Sequence, residues 1–105
     1  MYVQLAPIRL KAGVDEAALL KASDAFQSFV DRQKGIIKRL LLRNKDGGYA
    51  DLVFFETKED ADRVAEIEQT SQECLDFFTI MEAPDPSLPD MGVLSFQHLK
   101  TYERR

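Results

Sequence analysis

Two rhythms of apolar residues run along this chain, one of alternating positions and one of helical spacing. The alternating segments are apolar on both sides. In Tyr49-Ala50-Asp51-Leu52-Val53-Phe54-Phe55, side chains alternate across the strand, so Tyr49, Val53 and Phe55 share one face while Ala50, Leu52 and Phe54 share the other. Residues 2–10 behave likewise, with Val3 and Leu5 opposing Tyr2, Ile8 and Leu10; Pro7 requires a bulge or a place where no ladder bond is needed. In 36–42, Ile36, Leu40 and Leu42 oppose Ile37 and Leu41, and the spacing predicts strands over 36–44, 49–56 and 93–102. Helical spacing predicts a helix over about 16–33, capped by Asp15, stapled by Val14 onto Leu19 and ended by Gly35. Its apolar stripe is Leu19, Ala22, Phe26, Phe29 and Val30. A second helix opens at Thr57 with Asp60 as capping-box partner and carries Ala61, Val64, Ala65 and Ile67. Ser71 restarts it at a new angle, with Cys74, Leu75, Phe78 and Met81 inward. Residues 44–48 make a glycine-bearing hairpin, and 83–92, with Pro84, Pro86 and Pro89, a stiff loop.

The order is β-α-β-β-α-β, the ferredoxin-like arrangement, an α+β fold in which a four-stranded antiparallel sheet carries its helices on one face. The other face measures roughly 500 Å² from ordinary strand dimensions. That is near the top of the apolar patch, about 300–600 Å², that a monomer normally exposes. A second copy of the chain is the natural cover, so a homodimer through the open sheet face is expected.

Composition narrows the remaining choices. The chain has 105 residues, enough for one domain with a single core. No apolar run reaches the ~18 residues of a membrane span, and no secretory leader is visible at the N-terminus. The one cysteine, Cys74, fits a reducing compartment, so a cytoplasmic protein without membrane association is expected. A net charge of −4 disfavours nucleic acid as a partner. The RNA-recognition module shares this strand order, and Gly48-Tyr49-Ala50-Asp51-Leu52-Val53-Phe54 partly resembles its third-strand signature. Asp51 stands where a base-stacking aromatic is expected and Gly47 where a basic residue is, which argues against that reading.

A second resemblance covers nearly the whole chain. It is carried by Lys11-Ala12-Gly13-Val14-Asp15-Glu16 after the first strand, Lys34-Gly35-Ile36-Ile37 at the end of a long helix, Asp46-Gly47-Gly48-Tyr49, and Val53-Phe54-Phe55-Glu56-Thr57-Lys58-Glu59-Asp60-Ala61. Together these resemble the antibiotic biosynthesis monooxygenase-like family, whose members are dimeric α+β barrels with two ferredoxin-like sheets packed face to face. The haem-degrading branch of that family implies a histidine on the second helical region, an asparagine on the first strand and a tryptophan on the third. Here those sites fall at residues 74–78 without a histidine, at Ala6 and at Phe55, so haem is not expected. The other branch implies oxidation of phenolic, polyketide-like molecules with no cofactor and no metal, using a dry pocket, a base and donors for the substrate anion.

On that reading the pocket lies between sheet and helices, lined by Phe26, Phe29, Phe55, Phe78 and Met81, although the same residues suit ordinary core packing. His98, the only histidine, stands in row with Leu94 and Phe96 and is the candidate general base, with an edge-exposed histidine as the alternative. Tyr49 and Asp51 share a face with Phe55 and are candidate positioning groups. Arg39 and Lys38 face opposite ways, so either is a candidate to hold a phenolate, or both sit on a solvated edge. A non-catalytic dimer that binds a ligand is the second expectation.

Overall fold

The computed structural model describes all residues, Met1–Arg105. Its elements are β1 (Tyr2–Ile8), α1 (Glu16–Asp31), β2 (Ile36–Arg43), β3 (Tyr49–Phe55), α2 (Lys58–Glu68), α3 (Gln72–Phe78), a short 3-10 turn at Pro89–Gly92, and β4 (Leu94–Gln97). The strands form one antiparallel sheet in the order β2-β3-β1-β4, the ferredoxin-like fold. Pro7 lies beyond Leu5, the last residue of β1 that pairs with β4, so its missing N–H is tolerated in a central strand.

Local chemistry sets the helix boundaries. The Asp15 carboxylate accepts from the Ala18 N–H at 2.9 Å and starts α1. At α2 the Thr57 hydroxyl accepts from the Asp60 N–H at 3.1 Å and donates to the Asp60 carboxylate at 2.9 Å. Gly35, between α1 and β2, has φ +89°, and a side chain there would run into the Asp60 carboxylate.

Residues paired across strands share a face, which separates the sheet cleanly. Tyr2, Ile8, Tyr49, Asp51, Val53 and Phe55 face the helices, and the core forms where Ile8 and Phe55 meet Leu19, Phe26, Val64 and Phe77. Val3, Leu5, Leu40, Leu42, Leu52, Phe54, Leu94 and Phe96 make the other face. Within the single chain nothing covers it: Leu94 is 53% exposed and Phe96 51%.

Four expectations need correction. A bulge between Ile36 and Lys38 shifts the phase of β2, so Ile36 faces the helices opposite Phe55 instead of lying with Leu40 and Leu42. On α3 the buried aromatic is Phe77, while Phe78 is 39% exposed and Leu75 also lies outward. On α2 only Ala61 and Val64 of the expected stripe are buried; Ala65 and Ile67 are exposed, and Asp60 is buried beside them. The last strand covers four residues, 94–97, the four that pair with Tyr2, Val3, Gln4 and Leu5 of β1.

Candidate functional site

The bulge at Ile37 has a chemical consequence. It puts Arg39 on the helix-facing side, diagonal to Asp51, because Arg39 pairs with Val53 and Leu41 with Asp51. The two side chains form an ion pair at 3.0 Å, from Arg39 Nη1 to Asp51 Oδ2, and both are more than nine-tenths buried. Arg39 Nε donates to Gln27 Oε1 at 2.8 Å, and Nη2 donates to the Ser23 carbonyl at 2.7 Å and to Ser23 Oγ at 2.6 Å. The guanidinium also lies 5.0 Å from the Phe26 ring centroid and 5.8 Å from that of Phe77. Four bonds from five N–H donors plus two aromatic faces hold a planar cation rigidly in the interior.

Asp51 is less well served. Its Oδ1 is buried and has no hydrogen-bond partner. Burial pushes its carboxyl up, and the attraction of Arg39 only partly offsets this. Glu68, the last residue of α2, is half-buried close by. Burial, and then the Asp51 charge, push its carboxyl up to about 7. Cys74 on α3 is fully buried, and desolvation raises its thiol, with Glu68 and Glu73 acting in the same direction; it is not a reactive thiolate. The site is therefore a buried Arg39–Asp51 ion pair packed against aromatic rings, with the Glu68 carboxyl near enough to feel the Asp51 charge.

The sequence-predicted residues distribute unevenly about this cluster. Asp51 is at its centre. Phe26, Phe29 and Phe55 are buried in the adjoining core, with Phe26 stacked on Phe77 at 4.5 Å between centroids. Phe78 keeps a tilted contact with Phe26 at 6.4 Å, and Met81 packs at the core margin, bridging to Leu10. Tyr49 lies two residues nearer the hairpin, where burial and the charge of Glu16 raise its phenol. Glu16 is engaged there by Arg43 at 2.6 and 2.8 Å. Lys38 points to the open face, its Nζ 4.9 Å from the Phe54 ring centroid. His98 follows the end of β4; its N–H donates to the Met1 carbonyl at 3.0 Å and its Nε2 is 2.7 Å from Thr101 Oγ1. Gln97 pairs with Tyr2 whereas Asp51 pairs with Ala6, so the strands separate His98 from the cluster by more than about 13 Å. The structure does not bring His98 together with Asp51 and Tyr49.

Ser23, Gln27, Phe77 and Glu68 escaped the sequence reading. For two of them a signal existed: Ser23 completes the spacing 19, 23, 26, 30, and Glu68 the spacing 61, 64, 68, so both fall on buried stripes despite being polar. Where a haem site would lie, Ala6 faces Asp51 across the strands, Phe55 is core, and 74–78 turns Cys74 and Phe77 inward; the donor set does not suit a porphyrin iron. No cluster of three or more His, Cys, Asp or Glu side chains is placed to hold a metal ion.

The sequence matches no protein-family model and no curated protein. Its structure does match solved ones along their full length. A cofactor-independent oxygenase, SnoaB from Streptomyces nogalater, aligns with a TM-score of 0.67 at 14% identity, over 98% of this chain and 97% of that one. A variant of MhuD with two manganese protoporphyrin IX molecules bound per active site aligns at 0.67 and 17% identity, over 99% and 100%. A candidate antibiotic biosynthesis monooxygenase from Nitrosomonas europaea aligns at 0.61 and 17%, over 97% and 100%. The chain thus has the fold shared by the antibiotic biosynthesis monooxygenase-like proteins.

Proposed function

We propose that this protein is a cofactor-independent monooxygenase-like protein that binds, and oxidises, a small aromatic or polyketide-like molecule between its sheet and helices. The observation that carries the reading is the buried Arg39–Asp51 pair with a free carboxylate oxygen. Oxidation without a metal or flavin needs a substrate anion that itself gives electrons to oxygen. Such a site must supply a proton acceptor and a fixed positive charge in dry surroundings. Asp51 and Arg39 are those groups here, and the proton-accepting role expected of His98 passes to Asp51 because of its position. Phe26, Phe29, Phe55 and Phe77 supply the apolar surroundings, with Met81 at their margin and Tyr49 bordering them. An activated ring methylene would then gain one oxygen atom as a carbonyl; its two hydrogens and the second oxygen atom leave as water.

The working unit in this reading is a homodimer in which the open sheet faces pack together, in the cytoplasm, where the single buried thiol stays reduced. The open face is mainly Val and Leu with two phenylalanines, which suits a second copy better than nucleic acid. Oxygen uptake by chelator-treated protein on a hydroxylated anthrone tests the activity. Uptake that persists with chelator and is lost in Asp51→Asn supports it; no uptake over the buffer rate across phenolic tricycles rejects it.

The stacking of Phe26 on Phe77, which leaves no slot between the rings, favours a second reading, a dimeric ligand-binding protein without catalysis. Binding of the same anthrone with no oxygen consumed selects it.

A further inference from the structure

The two edges of the sheet are unlike. β2 is guarded: it has the bulge between Ile36 and Lys38, and Lys38 and Arg43 place charge along it. β4, at the other edge, has no such guard. Leu94-Ser95-Phe96-Gln97 contains no charge and no proline, its register with β1 runs unbroken, and its outer side pairs with no strand. The chain on either side of β4 is apolar at the surface and charged in opposite senses. Beyond it, residues 98–105 carry Lys100, Arg104 and Arg105 against Glu103, while Leu99 and Tyr102 stand almost wholly in solvent. This segment is braced all the same, by the His98–Thr101 contact at 2.7 Å and by Lys100 Nζ at 4.9 Å from the Tyr102 ring centroid. Before β4, residues 82–90 carry Glu82, Asp85 and Asp90 and no basic residue. The Ser87 N–H and Oγ donate to the Asp85 carboxylate at 2.9 and 2.6 Å and keep it ionised. Asp90 and Met91, with φ 49° and 55°, form a left-handed turn that leaves Leu88 and Met91 at the surface. Beside this turn lies a cavity of about 430 Å³ lined by Leu88, Pro89, Val93 and Leu94. The basic segment of the same chain does not fill it, because that segment leaves β4 at the far end, about 13 Å away.

We propose that the β4 edge docks a second copy of this chain, antiparallel about a two-fold axis, with residues 98–102 of each copy seated along the acidic loop and cavity before β4 of the other. An axis at Ser95 or Phe96 sets Leu99 beside the partner's Met91 or the partner's Val93. The same axis sets Tyr102 beside the partner's Leu88 or the partner's Asp90. Either register brings two exposed apolar side chains to an apolar cavity, and a basic segment to an acidic loop. The contact is isologous, so each copy gives one segment and receives one, and the bare strand edge is used up. This interface belongs to the homodimer of the proposed function and adds a contact that the sheet faces do not make.

The test is cross-linking between separately prepared full-length chains. Cys74 is buried, so a single added surface cysteine is the one that reacts. Leu99→Cys chains are mixed with Met91→Cys chains and treated with a short bismaleimide. The expected product joins one chain of each kind at twice 12.0 kDa, with residue 99 linked to residue 91 in the peptide map. Leu99→Cys alone is expected to give no joined product, since its two copies would stand about 20–26 Å apart along the paired strands. In a dilution series, Leu99→Ser with Tyr102→Ser is expected to raise the dimer Kd about thirtyfold, the effect of losing an interface anchor. Lys100→Glu with Arg104→Glu is expected to weaken the dimer as well, and Glu82→Lys with Asp85→Lys in the same chain to restore it. Absence of the 99–91 product, or an unchanged Kd after loss of Leu99 and Tyr102, overturns the edge contact and leaves the face-packed homodimer standing. A wild-type chain that is single at every concentration removes both.

Discussion

At the scale of single residues, Arg39 is the side chain on which most of the interior depends. Taking away one partner of a buried ion pair leaves the other charge uncompensated, at a cost of about 3–5 kcal/mol. Arg39→Met alone should therefore destabilise by roughly that amount in urea unfolding, and adding Asp51→Leu should recover a large part of it, since a well-packed apolar pair replaces a desolvated one. No recovery in the double variant would show that the Ser23 and Gln27 bonds matter more than the charges. Glu68 has the opposite effect. Its folded carboxyl titrates at about 7 against 4.5 when unperturbed, so the folded state retains a proton that the unfolded chain releases. Stability contributed by this group is thus undiminished below about pH 4.5 and declines as pH rises to about 7. Glu68→Gln should match the parent near pH 4.5 and melt higher at pH 8, with an upper bound on the order of 3 kcal/mol. In sequence, Arg39 is visible as a candidate but its direction is not, because alternation alone does not reveal the bulge at Ile37. Glu68 is hidden for another reason: a glutamate inside a charged helix reads as solvated until its stripe is aligned with Ala61 and Val64.

Elements were legible where local chemistry decides them. The Asp15 cap, the Thr57–Asp60 box, the Ser71 restart and the hairpin at 44–48 all follow from short-range rules, and each stands where the pattern puts it. Gly35 combines a positive φ with an occupied Cβ position, whereas Gly47 has a positive φ and open space around it. Gly35→Ala should accordingly lower the melting temperature more than Gly47→Ala, with costs of roughly 2–3 and about 1 kcal/mol. Equal losses at both sites would mean that Asp60 moves aside freely. The inward face of α3 was less legible. Seven residues make only about two turns, and adjacent Phe77 and Phe78 suit either phase. What decides between them is distant, the stacking of Phe77 on Phe26 of α1. Phe77→Ala should therefore destabilise by about 3–5 kcal/mol, and Phe78→Ala by clearly less.

Across the whole molecule, the apolar coating on both sides of the sheet is the feature that survives every local revision. One side is covered by helices and the other remains uncovered in the single chain. Native mass spectrometry should find a particle of twice 12.0 kDa, and Leu40→Lys with Phe96→Asp should convert it to single chains. A wild-type chain that stays single at micromolar concentration would remove the barrel from the reading. The segment after β4 also carries exposed apolar side chains, with Leu99 90% exposed and Tyr102 82% exposed. The sheet order has a further consequence, for biosynthesis. β1 is made first, yet it lies between β3 and β4, and its Gln4–Ser95 hydrogen bond spans 91 residues. β1 must therefore wait, with one hydrogen-bonding edge open, until β4 has been made. A ribosome that stalls before residue 94 would release a chain whose central strand is a template for mispairing, which makes the small β4 the step that ends the nascent protein's exposure to aggregation.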